Sequence, residues 1–164
     1  MKKGLLTVIL ASLLLTACSA KETFETVDDE FAAATDVQAK QICLQLPDDA
    51  ASPAMESEEA GSLYLCDGYT ITVQTVPGGD LSETLRKTTG YSADNLPVME
   101  TKYGDVSRYD CVWTAAGETG DQVGRAAILD DGSFHYVVTV MAAAEDAGRF
   151  TNSWPELLNS LRIV

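Results

Sequence analysis

Basic residues are scarce in this sequence, histidine is reduced to one, and no apolar run is long enough to reside across a bilayer. Each absence removes a class of function. Eleven Lys and Arg stand against 25 Asp and Glu. That balance disfavours the phosphate backbone of nucleic acid and the anionic surface of a membrane, so no nucleic-acid partner is expected. His135 is the only histidine, and none of the four cysteines stands in Cys-x-x-Cys spacing, so a Cys/His zinc site lacks its ligand set. There is no Gly-x-Ser-x-Gly elbow, and Ser133 beside His135 sits at a turn. Asp130-Asp131-Gly132, Asp48-Asp49 and Glu58-Glu59 do not continue as the alternating oxygen ligands of a calcium loop. The first reads as a turn and the other two as solvated loop charge. A protein without catalytic site, metal or cofactor is expected.

The first residues carry the sharpest signal. Lys2 and Lys3 precede an apolar run over residues 5–15, interrupted only by Thr7 and Ser12. This length is right for a secretory signal and too short for a resident spanning helix. The run ends Leu15-Thr16-Ala17-Cys18, which resembles the lipobox of bacterial lipoproteins: a branched apolar residue, two small ones, then the cysteine that becomes a lipid thioether. Residues 1–17 are therefore expected to be removed and Cys18 to be lipidated, anchoring the chain without spanning the membrane. Removing Lys2 and Lys3 leaves nine basic residues against 25 acidic, a net charge of −16. Residues 18–35, rich in Ala, Glu, Asp and Thr without a clear period, read as an acidic tether. Residues 36–164 read as one domain.

Within that domain, residues 41–46 alternate Ile42, Leu44 and Leu46 with Cys43 and Gln45, a strand pattern that Pro47 ends. Residues 48–60 read as a surface loop. Asp67-Gly68 between β-prone runs is a hairpin signal that places Cys66 opposite Tyr69 and Tyr64 opposite Ile71. Asp80 and Glu83 have the spacing of a capping box, and Gly90 is placed to close the helix they open. A short strand is expected over residues 98–102. Residues 106–115, 122–129 and 134–142 form three β-rich runs of an antiparallel meander, the last apolar on both faces and so expected at the centre of the sheet. Trp154, Leu157, Leu158 and Leu161 make one helical stripe, with Pro155 tolerated in the first turn. Arg162-Ile163-Val164 can add a final strand. The fold class is α+β, an antiparallel sheet with helices packed on it.

Cys43, Cys66 and Cys111 remain after Cys18 is committed to lipid. One disulfide with one buried thiol is one arrangement, and three free thiols another. If residues 41–46 pair antiparallel with 62–66, Cys43 falls opposite Cys66. A bridge there would close a loop of about 24 residues and contribute about 3 kcal/mol in the chain-entropy model. Cys111, beside Tyr109 and Trp113, reads as a core thiol. Tyr64, Tyr69, Tyr109, Trp113, Tyr136 and Trp154 read as core more readily than as a pocket lining, and the isolated His135 as structural.

The order of elements resembles the PsbP-like fold. The resemblance rests on Gly132-Ser133-Phe134-His135-Tyr136-Val137-Val138-Thr139-Val140 after an Asp-Gly turn, then the Trp154 helix ending Ser160-Leu161-Arg162-Ile163. It implies binding or assembly rather than chemistry and assigns no functional residue. The expectation is a lipid-anchored extracytoplasmic protein that binds a protein partner or supports an envelope assembly. The alternative is a surface binder of a small ligand or cation.

Overall fold

The computed structural model describes residues 37–51, 53–57, 61–117 and 120–164. The expected signal peptide, Cys18 and tether lie outside the described residues. Residues 37–164 form one compact unit, built as an antiparallel sheet with helices packed on it. Nine strands are present among the described residues: β1 (Ile42–Cys43), β2 (Met55–Ser57), β3 (Gly61–Leu65), β4 (Tyr69–Pro77), β5 (Val98–Tyr103), β6 (Val106–Gly117), β7 (Gly120–Asp130), β8 (Phe134–Ala143) and β9 (Arg162–Ile163). Helix α1 (Leu81–Thr89) follows β4, and α2 (Ser153–Ser160) precedes β9.

Local chemistry accounts for most boundaries. Gly68 takes φ 82° at the β3–β4 turn, a conformation that costs glycine little. Cys66 N–H then donates to the Tyr69 carbonyl at 2.9 Å, and Tyr64 faces Ile71. At α1 the Asp80 carboxylate accepts from Ser82 N–H at 2.9 Å, and Gly90 closes the helix at φ 81°. The expected capping box is only half made, because Glu83 turns to Lys87 at 2.9 Å one turn ahead. The Asp130-Asp131-Gly132 turn is held by its own carboxylates, which accept from the N–H groups of Gly132, Ser133 and Phe134 at 2.8–3.0 Å.

Seven strands run in the order β2-β3-β4-β8-β7-β6-β5, with β8 at the centre as its two apolar faces require. Tyr136, Val137 and Val138 are fully buried there. One face packs Ile71, Ala127, Val138 and Val140 against Phe150, Trp154 and Leu157. The other packs Trp113, Ala126, Ile128 and Val137 against Leu85 of α1 and Leu96. On that second face the indole of Trp113 lies so close to Gly124 that a methyl group there would sit 2.3 Å from the ring.

Three expectations fail, for one topological reason. Residues 48–60 were expected to be loop throughout, yet Met55–Ser57 forms β2 and takes the free edge of β3. With β4 on its other side, β3 has no edge left for residues 41–46. The short β1 pairs instead with β9, placing Ile42 opposite Ile163 and Cys43 opposite Arg162. Gln41 and Val164 exchange two backbone hydrogen bonds beyond that pair, at 2.9 and 3.0 Å. The register that would bring Cys43 to Cys66 is therefore not formed, and both are free thiols, as is Cys111.

Candidate functional site

Helix α2 owes its position to its apolar stripe. Pro155 costs nothing in the first turn, where its missing N–H would be unpaired anyway, and Trp154 N–H donates to the Phe150 carbonyl at 2.9 Å. Eight residues of helix span about 12 Å, whereas seven strands spaced about 4.8 Å apart make a sheet more than twice that wide. The helix consequently leaves part of its face open, on the β5–β6 side. Two adjoining hollows lie between α2 and that hairpin, of about 420 and 500 Å³, and share Arg108 and Leu158. Tyr103, Val106, Leu129, Leu161 and Arg162 are among the other residues lining one; Met99, Asp110, Val112 and Trp154 are among those lining the other.

The floor of this groove holds an ion pair under apolar walls. Arg108 Nε reaches Asp110 Oδ2 at 2.9 Å, with the two side chains 17 and 13 % exposed, and the Arg108 guanidinium lies 5.3 Å from the centre of the Tyr103 ring. Burial pushes the Asp110 carboxyl above its ordinary value, and Arg108 pulls it only part of the way back. Asp110 Oδ1 is buried with no hydrogen-bond partner among the described residues. Arg125, which faces Val112 in register, stacks its guanidinium 5.3 Å over Phe150 and likewise leaves Nε buried without a partner. Desolvated polar atoms of this kind are costly unless something pairs with them. The alternation of Arg108 and Asp110 with Tyr109, Cys111 and Trp113 marks this face as polar in the sequence. That a short helix from residues 153–160 would half-cover it carries no sequence signal.

The other singled-out residues fall into structural clusters. His135 is 1 % exposed. Its Nδ1 is 2.7 Å from Thr84 Oγ1, and its Nε2 is 3.8 Å from Asp130. The hollow of about 350 Å³ on that side is lined by Thr84, Asp80 and Glu83 but does not take in His135. Tyr136 OH donates to Asp131 at 3.0 Å and accepts from Lys40 N–H at 2.9 Å, joining the entering chain to the β7–β8 turn. Burial pushes the Asp131 carboxyl up, but the N–H groups of Phe134 and Ser133, the Tyr136 hydroxyl and Lys40 together hold it below its ordinary value. Asp49 is not mere loop charge: it accepts from Tyr69 OH at 2.9 Å and Asp67 N–H at 3.1 Å. Cys111 is buried, which pushes its thiol up to about 11. Cys43 and Cys66 are half-buried. Among the described residues no three metal-ligating side chains cluster, and no helix is long and apolar enough to cross a membrane.

No protein-family model matches the chain, and no curated protein sequence does. Solved structures do. The crystal structure of LpqN from Mycobacterium tuberculosis, described as involved in cell envelope biogenesis, matches at TM-score 0.57 and 13% identity, over 79% of this chain and 86% of that one. The solution structure of CyanoP, the cyanobacterial PsbP of Synechocystis, matches at TM-score 0.51 and 7% identity, over 78% and 94%. The fold is PsbP-like.

Proposed function

We propose that this chain is an extracytoplasmic lipoprotein, anchored through Cys18, that binds a protein partner in the groove between α2 and the β5–β6 hairpin and catalyses no reaction. One observation carries the reading. Met99, Tyr103 and Val112, all on the groove face, are 62, 55 and 50 % exposed, large apolar side chains left in solvent along one face, as at contact surfaces. The envelope role described for LpqN and the Lys2-to-Cys18 leader support the setting. The acidic charge keeps the domain off anionic lipid and favours a basic partner.

The test is photocrosslinking in native membranes, with a photoreactive residue at Met99 or Val112 and, as control, at the exposed Glu83 in the first turn of α1. The same adduct from both groove positions, absent from Glu83 and diminished by Cys18→Ala, is expected. Adducts common to all positions, or none from the groove, contradict the reading. Labelling with radioactive fatty acid tests the anchor separately, and an unlabelled mature protein refutes it.

A small-ligand reading is favoured by Asp110 Oδ1, whose missing partner a hydroxyl or amide of a compact ligand would supply. A side chain of a protein partner would supply it equally.

A further inference from the structure

The sheet ends in two unlike edges. At one, β2 has three residues and Pro53 lies just before it, the brevity and stiffness by which sheet edges are ordinarily blunted. At the other, β5 runs six residues and pairs with β6 from Val98↔Cys111 to Tyr103↔Val106 without a bulge. Pro97 immediately precedes it, as Pro53 precedes β2, but no proline lies among its six residues. Its two charges, Glu100 and Lys102, pair with each other at 3.7 Å, and both lie on the face opposite Met99, Thr101 and Tyr103 because strand side chains alternate.

The hairpin turn determines which backbone groups of β5 are free. Gly104 at φ 62° and Asp105 form a two-residue connection, which makes Tyr103↔Val106 the closing hydrogen-bonded pair. Bonded pairs then alternate along the ladder. Tyr103, Thr101 and Met99 direct N–H and C=O toward β6, whereas Lys102, Glu100 and Val98 direct theirs outward. Among the described residues no strand takes up that outer row. The row runs beside the open side of the groove, where Met99 and Tyr103 are the most exposed apolar side chains of the strand.

We propose that the partner enters as an extended segment that adds an eighth strand to β5 through the backbone groups of Val98, Glu100 and Lys102. This rests on the groove being a protein-binding site and names the mode of binding. Spaced about 4.8 Å beyond β5, alternate apolar side chains of the segment lie against Met99 and Tyr103 and close the groove toward Leu158 and Leu161. The remaining positions are basic, complementary to a mature chain of net charge −16. Backbone pairing supplies affinity and the alternate side chains supply selection, as in other strand-addition complexes.

The experiment uses the lipidated full chain in detergent micelles and an acetylated eight-residue peptide alternating lysine with valine and tyrosine. A second peptide of the same sequence is N-methylated at alternate amides, which removes strand pairing and keeps the side chains. Binding is read by fluorescence anisotropy and by amide hydrogen exchange. The first peptide is expected to bind and to slow exchange at Val98, Glu100 and Lys102 at least about tenfold, while N-methylation weakens binding at least about tenfold. Glu100→Pro is expected to weaken it similarly with an unchanged melting curve, because proline is tolerated where the N–H faces outward from an edge. Should the proline destabilise the domain, the N-methylated peptide still decides, since it leaves the protein unaltered. Equal binding of both peptides, unprotected β5 amides, or no binding overturns strand addition. A membrane adduct that persists at Met99 and Val112 alongside such a result leaves the groove reading standing and removes only the mode. Loss of both removes both.

Discussion

One face of the sheet is finished over β4 and β8 and unfinished over β5 and β6. In the finished half Phe150, Leu157 and Val140 are 1 % exposed, the Phe150 ring stacks tilted on Tyr69 at 6.0 Å, and hydrogen bonds from Tyr136 and Lys40 close one end. In the open half Met99, Tyr103 and Val112 stand in solvent around an ion pair that burial has made uncomfortable. Both halves belong to one continuous face, so the difference is one of covering. Helix α2 is long enough to seal one region and leaves the other for something else to cover. Stability is concentrated where the face is sealed, and recognition is expected where it is open.

Four measurements break or sharpen that contrast. Phe150→Ala, in the sealed half, is expected to cost about 3–5 kcal/mol, the usual range for emptying a buried aromatic site, read by urea unfolding. Asp131→Asn is expected to cost about 1.5–3 kcal/mol at neutral pH, because charge-assisted hydrogen bonds are lost. Its sign with pH follows from the depressed folded value. The stability Asp131 contributes is present above the unfolded carboxylate value and is lost as pH falls through the folded one. The deficit of the variant should therefore shrink below about pH 4. Asp110 runs the other way. Its raised folded value means the ionised form costs stability at neutral pH, a cost relieved as pH falls through that value. Asp110→Asn is expected to change stability by no more than about 1 kcal/mol at neutral pH, because relief of the buried carboxylate is offset by leaving Arg108 without its counter-charge. The difference should close on acidification in paired melting curves. Met99→Ser, in the open half, is expected to change stability by no more than about 0.5 kcal/mol while abolishing the crosslinked adduct.

The strongly local features of this molecule were legible in its sequence. Asp67-Gly68 announced a hairpin in its true register, Asp80 and Gly90 bounded α1, and the run of residues 134–142, apolar on both faces, marked the central strand. Features that depend on distant segments were not. Met55-Glu56-Ser57 has no strand signature of its own and becomes β2 because β3 offers an edge. Ile42-Cys43 could not disclose that its partner lies at Arg162-Ile163, so the Cys43–Cys66 pairing was a sound register on the wrong neighbour. The groove is of the same kind. Arg108 and Asp110 could be read as the polar face of a strand, but their partial burial depends on where a helix more than forty residues onward comes to rest. Cys18 and the tether lie outside the described residues.

The most direct test compares two charge insertions of equal size, one in each half. The yield of the Met99 photoadduct in native membranes is measured for Val112→Arg, in the open half, and for Thr151→Arg, at an exposed position just ahead of α2 beside the sealed half. The account predicts near-complete loss for Val112→Arg and a native yield for Thr151→Arg. Equal yields from the two variants would contradict it.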